Sequence, residues 1–243
     1  MRISISGSAG TGKTTLIEAF KKRWPMYKFP TKTYRDVITE YNLEHSSKTT
    51  GETQLIILDW MMQEQKNYPK DSNVIYDRCP IDNLVYTLQG NASGGISDEV
   101  AGATISLVRE SMKDIDIIFW LKKHPDIKIV EDGLRDTDED YIQKTEKIFE
   151  DLYSQYSDDL ESDVFFPKED CPAFVCIDEA FPSVDDRLAF VGEFIDYKGD
   201  LIETGESVLN PENEELLKSL ISEQIDAQEG DDRIKKLIKE FKK

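Results

Sequence analysis

Residues 7–14 read Gly-Ser-Ala-Gly-Thr-Gly-Lys-Thr and meet the pattern G-x-x-x-x-G-K-[ST] at every position. The stretch before them, residues 2–6, puts Ile3 and Ile5 on one face of a short strand. The stretch after them, residues 14–21, has the composition of a helix. Strand, glycine-rich turn and helix in that order make a phosphate-binding loop, because the turn aims backbone N–H groups and the helix N-terminus at one anion. The residues expected to cradle the phosphates are Gly7, Ala9, Gly10, Thr11, Gly12, Lys13, Thr14 and Thr15. Lys13 is placed to reach the β- and γ-phosphates, and the Thr14 hydroxyl to take Mg2+. The motif implies a nucleoside triphosphate and leaves open what becomes of its phosphate.

Repeated strand–helix alternation follows, the pattern of a parallel sheet covered on both faces. The expected elements are a strand at 1–6, a helix at 13–23 ended by Trp24 and Pro25, and a short second strand at 26–29 closed by Pro30. Helices at 33–42 and 52–66, a strand at 73–77 and a helix at 81–89 come next. Ser97 caps a helix that runs to about residue 113. Strands at 115–121 and 173–177 flank a long charged helix at 138–156, and a helix at 184–197 closes the domain. The expected fold is therefore α/β, with a five-stranded parallel sheet and helices on both faces. The domain should span residues 1–198. Residues 199–243 form an acidic linker and two amphipathic stretches, in which Leu217, Leu220, Ile221 and Ile225, then Ile234, Leu237, Ile238 and Phe241, recur at helical spacing. This C-terminal extension has three open roles: packing on its own domain, pairing two subunits, or docking a partner.

Composition narrows the setting. A hydrophobic fraction of 39% supports a core, and no apolar run reaches bilayer-spanning length. The chain enters its first strand at once, which leaves no room for a signal peptide. Cys79, Cys171 and Cys176 lack metal-ligand spacing, and a reduced, cytoplasmic setting is expected. His45 and His124 sit in polar stretches and are expected at the surface. The net charge of −19 opposes binding to nucleic acid, although it does not exclude a local basic groove. The acids concentrate after residue 130, so the phosphate-loop end is nearer balance.

A phosphate loop needs an acid across the sheet for magnesium. Residues 73–77 end on Asp77, and 173–177 are followed by Asp178 and Glu179. The second pair resembles the Walker B strand of motor-type ATPases, but it lies late in the chain with strand 115–121 intervening. The pair Asp77–Arg78 resembles the strand end of deoxynucleoside kinases, thymidylate kinases and related phage and bacterial P-loop kinases. The longer stretch 76–86, Tyr-Asp-Arg-Cys-Pro-Ile-Asp-Asn-Leu-Val-Tyr, is similar to P-loop kinase-like proteins known as AAA-domain proteins, and to nicotinamide riboside kinase domains.

The resemblance covers about residues 1–195. It implies that Asp77 orients Mg2+ or accepts the proton of an attacking hydroxyl, and that Arg78 contacts phosphate. It makes Arg135 a lid arginine closing over the triphosphate, unless Arg135 is a surface residue paired to Asp132 or Asp136. The implied catalytic set is Lys13, Asp77, Arg78 and Arg135, with Thr14 and Asp77 at the metal. The acceptor should bind between the helices after the second and third strands. Arg35, Gln54 and Asp82 are the substrate-binding candidates, with Asp36 and Tyr86 nearby. The implied activity is transfer of phosphate from ATP, with Mg2+, to a nucleoside or nucleotide. The alternatives are a kinase acting on a modified base or end of DNA, and a regulatory ATPase using Asp178 and Glu179. A homo-oligomer formed through the terminal stretches is a further expectation.

Overall fold

The computed structural model describes residues 1–124 and 138–202, so Arg135 and the amphipathic stretches beyond residue 202 lie outside the described residues. The described elements belong to one unit, Met1–Leu201, apart from Ile202. Four strands, β1 (Arg2–Ser6), β2 (Val74–Asp77), β3 (Ile117–Leu121) and β4 (Ala173–Ile177), form a parallel sheet in the order β2-β1-β3-β4. The chain leaves β1 for one side, to β2, and then crosses to the other, to β3. Ligands of open parallel sheets bind at such a reversal, beyond the carboxyl ends of the strands.

The expected second strand is reduced to a single bridge. Lys28 donates its N–H to Asn73 O at 2.8 Å, and its carbonyl accepts from Ile75 N at 3.1 Å. Pro30 has no N–H, so the ladder cannot continue past this point. Among the described residues the sheet therefore has four strands, with Lys28 as a one-residue bridge in place of the expected fifth.

β1 and β3 are buried along their whole length and the edge strand β4 only in part, and the alternating side chains of the sheet feed two cores. Ile3, Ile5, Ile75, Ile117, Phe119 and Leu121 face α1 (Lys13–Arg23) and α7 (Val184–Val191), meeting Leu16, Phe20 and Val191. Val74, Tyr76, Ile118, Trp120 and Phe174 face the opposite way. They meet α3 (Gly51–Lys66), α4 (Pro80–Ala92), α5 (Asp98–Ser111) and α6 (Glu139–Ser162). On β1 this second face carries Arg2, Ser4 and Ser6; the two serine hydroxyls lie 3.1 Å apart, with Ser6 Oγ 3.6 Å from Cys79 Sγ. Small side chains there let the start of α4 approach the sheet closely.

A smaller cluster joins α2 (Tyr34–Glu40) to α3 through Val37, Ile38, Ile57 and Met61. The last helix is shorter than expected, ending at Val191 with Gly192 as its cap, and Ile195 then bridges to Leu201. Helix α6 runs longer than expected, to Ser162.

Phe149 is fully buried and stacks on Trp120 at 5.9 Å, fixing α6 to the sheet. Phe149→Ala should cost about 3–5 kcal/mol. Denaturant unfolding followed by circular dichroism checks this, and a loss below about 1 kcal/mol would contradict the packing described.

Candidate active site

The sheet register brings the two motifs together. Ile5 of β1 pairs with Asp77 of β2, and Arg78 N donates to Ile5 O at 3.1 Å, so the phosphate loop and the Asp77–Arg78 strand end leave adjacent strands side by side. Asp178 follows β4, which pairs with β3 and not with β1, and its Oδ1 accepts the N–H of Ala180 in an exposed turn.

The loop is built around Gly7. A Cβ on that residue would meet the carbonyl oxygen of Leu121 at 2.6 Å, which only glycine avoids. The Gly7 carbonyl accepts from Lys13 Nζ at 2.9 Å and from Arg78 Nη1 at 2.6 Å, and the Gly7 N–H donates to Asp82 Oδ1 at 3.0 Å. Lys13 Nζ also donates to Ser8 O and, at 3.2 Å, to Thr11 Oγ1. Gly12 enters α1 at φ 91, a left-handed conformation suited to glycine. Arg187 of α7 reaches the loop from the far side, with Nη1 on Thr11 O at 2.6 Å and Nε on Phe181 O at 2.9 Å.

Asp82 is fully buried and is the N3 residue of the capping box that starts α4, with Oδ2 accepting Cys79 N at 3.0 Å. Both of its oxygens are therefore engaged by the loop, Arg78 and its own helix. Asp77 is half-buried, and its Oδ1 is enclosed without a hydrogen-bond partner. The Asp77 carboxylate and the Thr14 hydroxyl line one cavity and are hard oxygen donors, a chemistry that fits Mg2+. Among the described residues no group of three or more His, Cys, Asp or Glu side chains is gathered for a metal.

One cavity of about 270 Å³ opens on these groups. The loop from Ala9 to Thr15 forms one wall, and Asp77 and Arg78 stand at the junction. Tyr34, Arg35, Gln54, Asn83, Tyr86 and Tyr141 are among the residues of the other wall. Arg35 and Gln54 thus share a cavity with the loop. Gln54 is tied inward: Nε2 donates to Thr49 Oγ1 and Oε1 accepts from Asn83 Nδ2, both at 2.7 Å. Asp36 is elsewhere, capping α2 through Thr33. Arg109 is far from the chemistry in function, binding the carbonyls of Asp163, Val164 and Phe165 at the end of α6. His45, expected at the surface, lines the cavity.

Four contributors escape a reading of the sequence. Asn83, Tyr34 and Arg187 carry no motif of their own. Glu146 lies within a charged helix, yet its Oε2 accepts Lys123 N at 3.3 Å, and Ser8 faces the same carboxylate. Burial raises the Glu146 carboxyl above the usual range. Burial, reinforced by Arg78, lowers the Lys13 ammonium to about 7, against the pull of Asp77, Asp82 and Glu146.

Fold and site together set a phosphate-loop motif beyond the carboxyl end of β1 in a parallel sheet of order β2-β1-β3-β4 with helices on both faces. The chain belongs to the AAA domain family, whose model matches residues 2–160. No curated protein matches the sequence. Among solved structures it is similar to deoxyadenosine kinase from M. mycoides with dCMP and dCDP bound, at TM-score 0.57 and 16% identity, covering 79% of this chain and 97% of that one. It is also similar to the NadR protein in complex with NR, at TM-score 0.53 and 19% identity, covering 83% of this chain and 52% of that one. A third is thymidylate kinase from Candida albicans, at TM-score 0.53 and 15% identity, covering 79% and 88%. Identities this low establish a shared fold.

The lowered pKa of Lys13 has a measurable consequence. Burial holds the Lys13 pKa down at about 7 in the nucleotide-free protein, and a bound triphosphate would raise it. Binding of MgATP at pH 8 should therefore take up roughly one proton, falling toward zero as the pH is lowered to 6. Calorimetry in buffers of different ionisation enthalpy measures this, and the absence of uptake at pH 8 would contradict the burial of Lys13.

Proposed function

We propose that this protein is an ATP-dependent phosphotransferase whose acceptor is a nucleoside or nucleotide. The observation that carries the reading is the shared cavity: one space joins the phosphate loop to a wall of tyrosines and amides, with Asp77 and Arg78 between them. Phosphoryl transfer needs two substrates held in line, cation at the migrating group and little water, and such a cavity supplies the first two.

In this reading the N–H groups of the loop and Lys13 hold the β- and γ-phosphates, and Lys13 offsets charge on the migrating group. Thr14 and Asp77 would hold Mg2+, which would supply positive charge at the phosphates. The alternative role for Asp77 is to accept the proton of an acceptor hydroxyl, and Arg78 supplies a second cation. Tyr34, Tyr86, Gln54 and Asn83 line the same cavity and are candidate contacts for the acceptor. Arg35 is a candidate contact for an acceptor phosphate.

The known activities of the structural neighbours, deoxyadenosine kinase and thymidylate kinase, support the same class of acceptor. The cavity volume suits a small molecule, and the charge of −19 weighs against DNA as acceptor. The edge position of β4 weighs against Asp178 and Glu179 as the magnesium acids of a regulatory ATPase.

Consumption of MgATP with and without nucleosides, nucleotides and oligonucleotides tests the reading. Turnover should depend on a nucleoside or nucleotide and produce its phosphate ester; turnover indifferent to every acceptor would contradict it. Asp77→Asn should lower that turnover by about a hundredfold or more, against less than about threefold for Asp178→Asn. A larger loss in Asp178→Asn would favour the regulatory ATPase.

A further inference from the structure

Arg78 is a buried cation with little conventional pairing. It stands at φ 78, in the left-handed region that non-glycine residues rarely adopt. Its Nη1 donates to Gly7 O at 2.6 Å and to Asp82 Oδ1 at 2.8 Å, and the guanidinium also hydrogen-bonds the Tyr86 hydroxyl. That carboxylate oxygen is shared with the Gly7 N–H, and Arg78 Nε is enclosed without a partner.

Two aromatic rings cover what the acceptors leave. Arg78 Cζ lies 5.0 Å from the ring centroid of Tyr34 and 5.3 Å from that of Tyr86. Tyr86 in turn stacks on Tyr141 of α6 at 6.5 Å and 16°. A guanidinium is flat and weakly hydrated, so ring faces can hold its plane while its edge bonds to oxygen. The rings come from α2 and α4, the elements that wall the acceptor side of the cavity.

We propose that Tyr34 and Tyr86 are positioning residues: their rings fix the Arg78 guanidinium against the Gly7 carbonyl, and so set both the phosphate loop and the cation that faces the transferred group. At Tyr34 the requirement is for a ring; at Tyr86 the ring and the hydroxyl both hold the guanidinium. This rests on the phosphotransferase reading of the same cavity.

MgATP is the probe, with affinity read by calorimetry. Tyr86→Leu and Tyr34→Leu should each weaken binding by about five- to tenfold, Tyr34→Phe by less than about twofold, and Tyr86→Phe by an amount between wild type and Tyr86→Leu. In an Arg78→Met background either leucine change should add nothing, because the rings act through Arg78. Arg78 itself gives a second readout that needs no tyrosine variant. Its Nε–Hε resonance, assigned by loss in Arg78→Met, should be displaced by ring currents in the wild-type protein. Leucine variants that bind MgATP like wild type would overturn the proposal. So would an equal loss without Arg78, or an Arg78 resonance at its ordinary position. Failure of the wild-type protein to bind MgATP would instead bring down the phosphate-loop reading, and this proposal with it.

Discussion

Both polar groups of the Gly7 backbone are held by side chains, and the rest of the site is arranged around that fact. Its carbonyl receives Lys13 and Arg78, its N–H is received by Asp82, and its missing side chain makes room for Leu121 O. Parts of the chain that are distant in sequence (β1, α1, the start of α4 and the end of β3) therefore meet at one residue. A loop fixed in this way presents its remaining N–H groups without first reorganising, which is the condition under which dipoles bind an anion or a transition state most strongly.

The same contacts gather charge. Lys13 and Arg78 lie buried together, and Arg187 approaches the loop from α7. Buried cations without partners are costly, and here the compensation is partial: Asp82 is shared, two rings cover Arg78, and one nitrogen each of Arg78 and Arg187 is enclosed without a partner. A polyanion in the loop would complete what the protein leaves unpaired. The lowered pKa of Lys13 is the titration counterpart of that deficit.

Much of this was legible in the sequence because it is local. The phosphate loop is contiguous, and strand and helix periodicities place the elements that present it and Asp77. The strand expected at 26–29 failed because its partner contact is one residue deep and Pro30 stops it. The last helix failed because Gly192 ends it and the chain then turns to pair Ile195 with Leu201. Asp82 was singled out for substrate, and the structure turns both its oxygens to the loop and its own helix, a role that helix capping at Cys79 could have suggested. Arg187 and Glu146 meet the loop from elements far along the chain, and no local pattern announces a contact of that kind.

The most direct test of the central claim is amide hydrogen exchange at Gly7, resolved by NMR in the nucleotide-free protein. If Asp82 and Arg78 hold the loop in place, the Gly7 N–H should be strongly protected before any nucleotide is added, and Asp82→Ala should abolish that protection while the amides of β3 remain protected. Unprotected exchange at Gly7 that slows only when MgATP binds would mean that the ligand builds the loop, and would contradict the account.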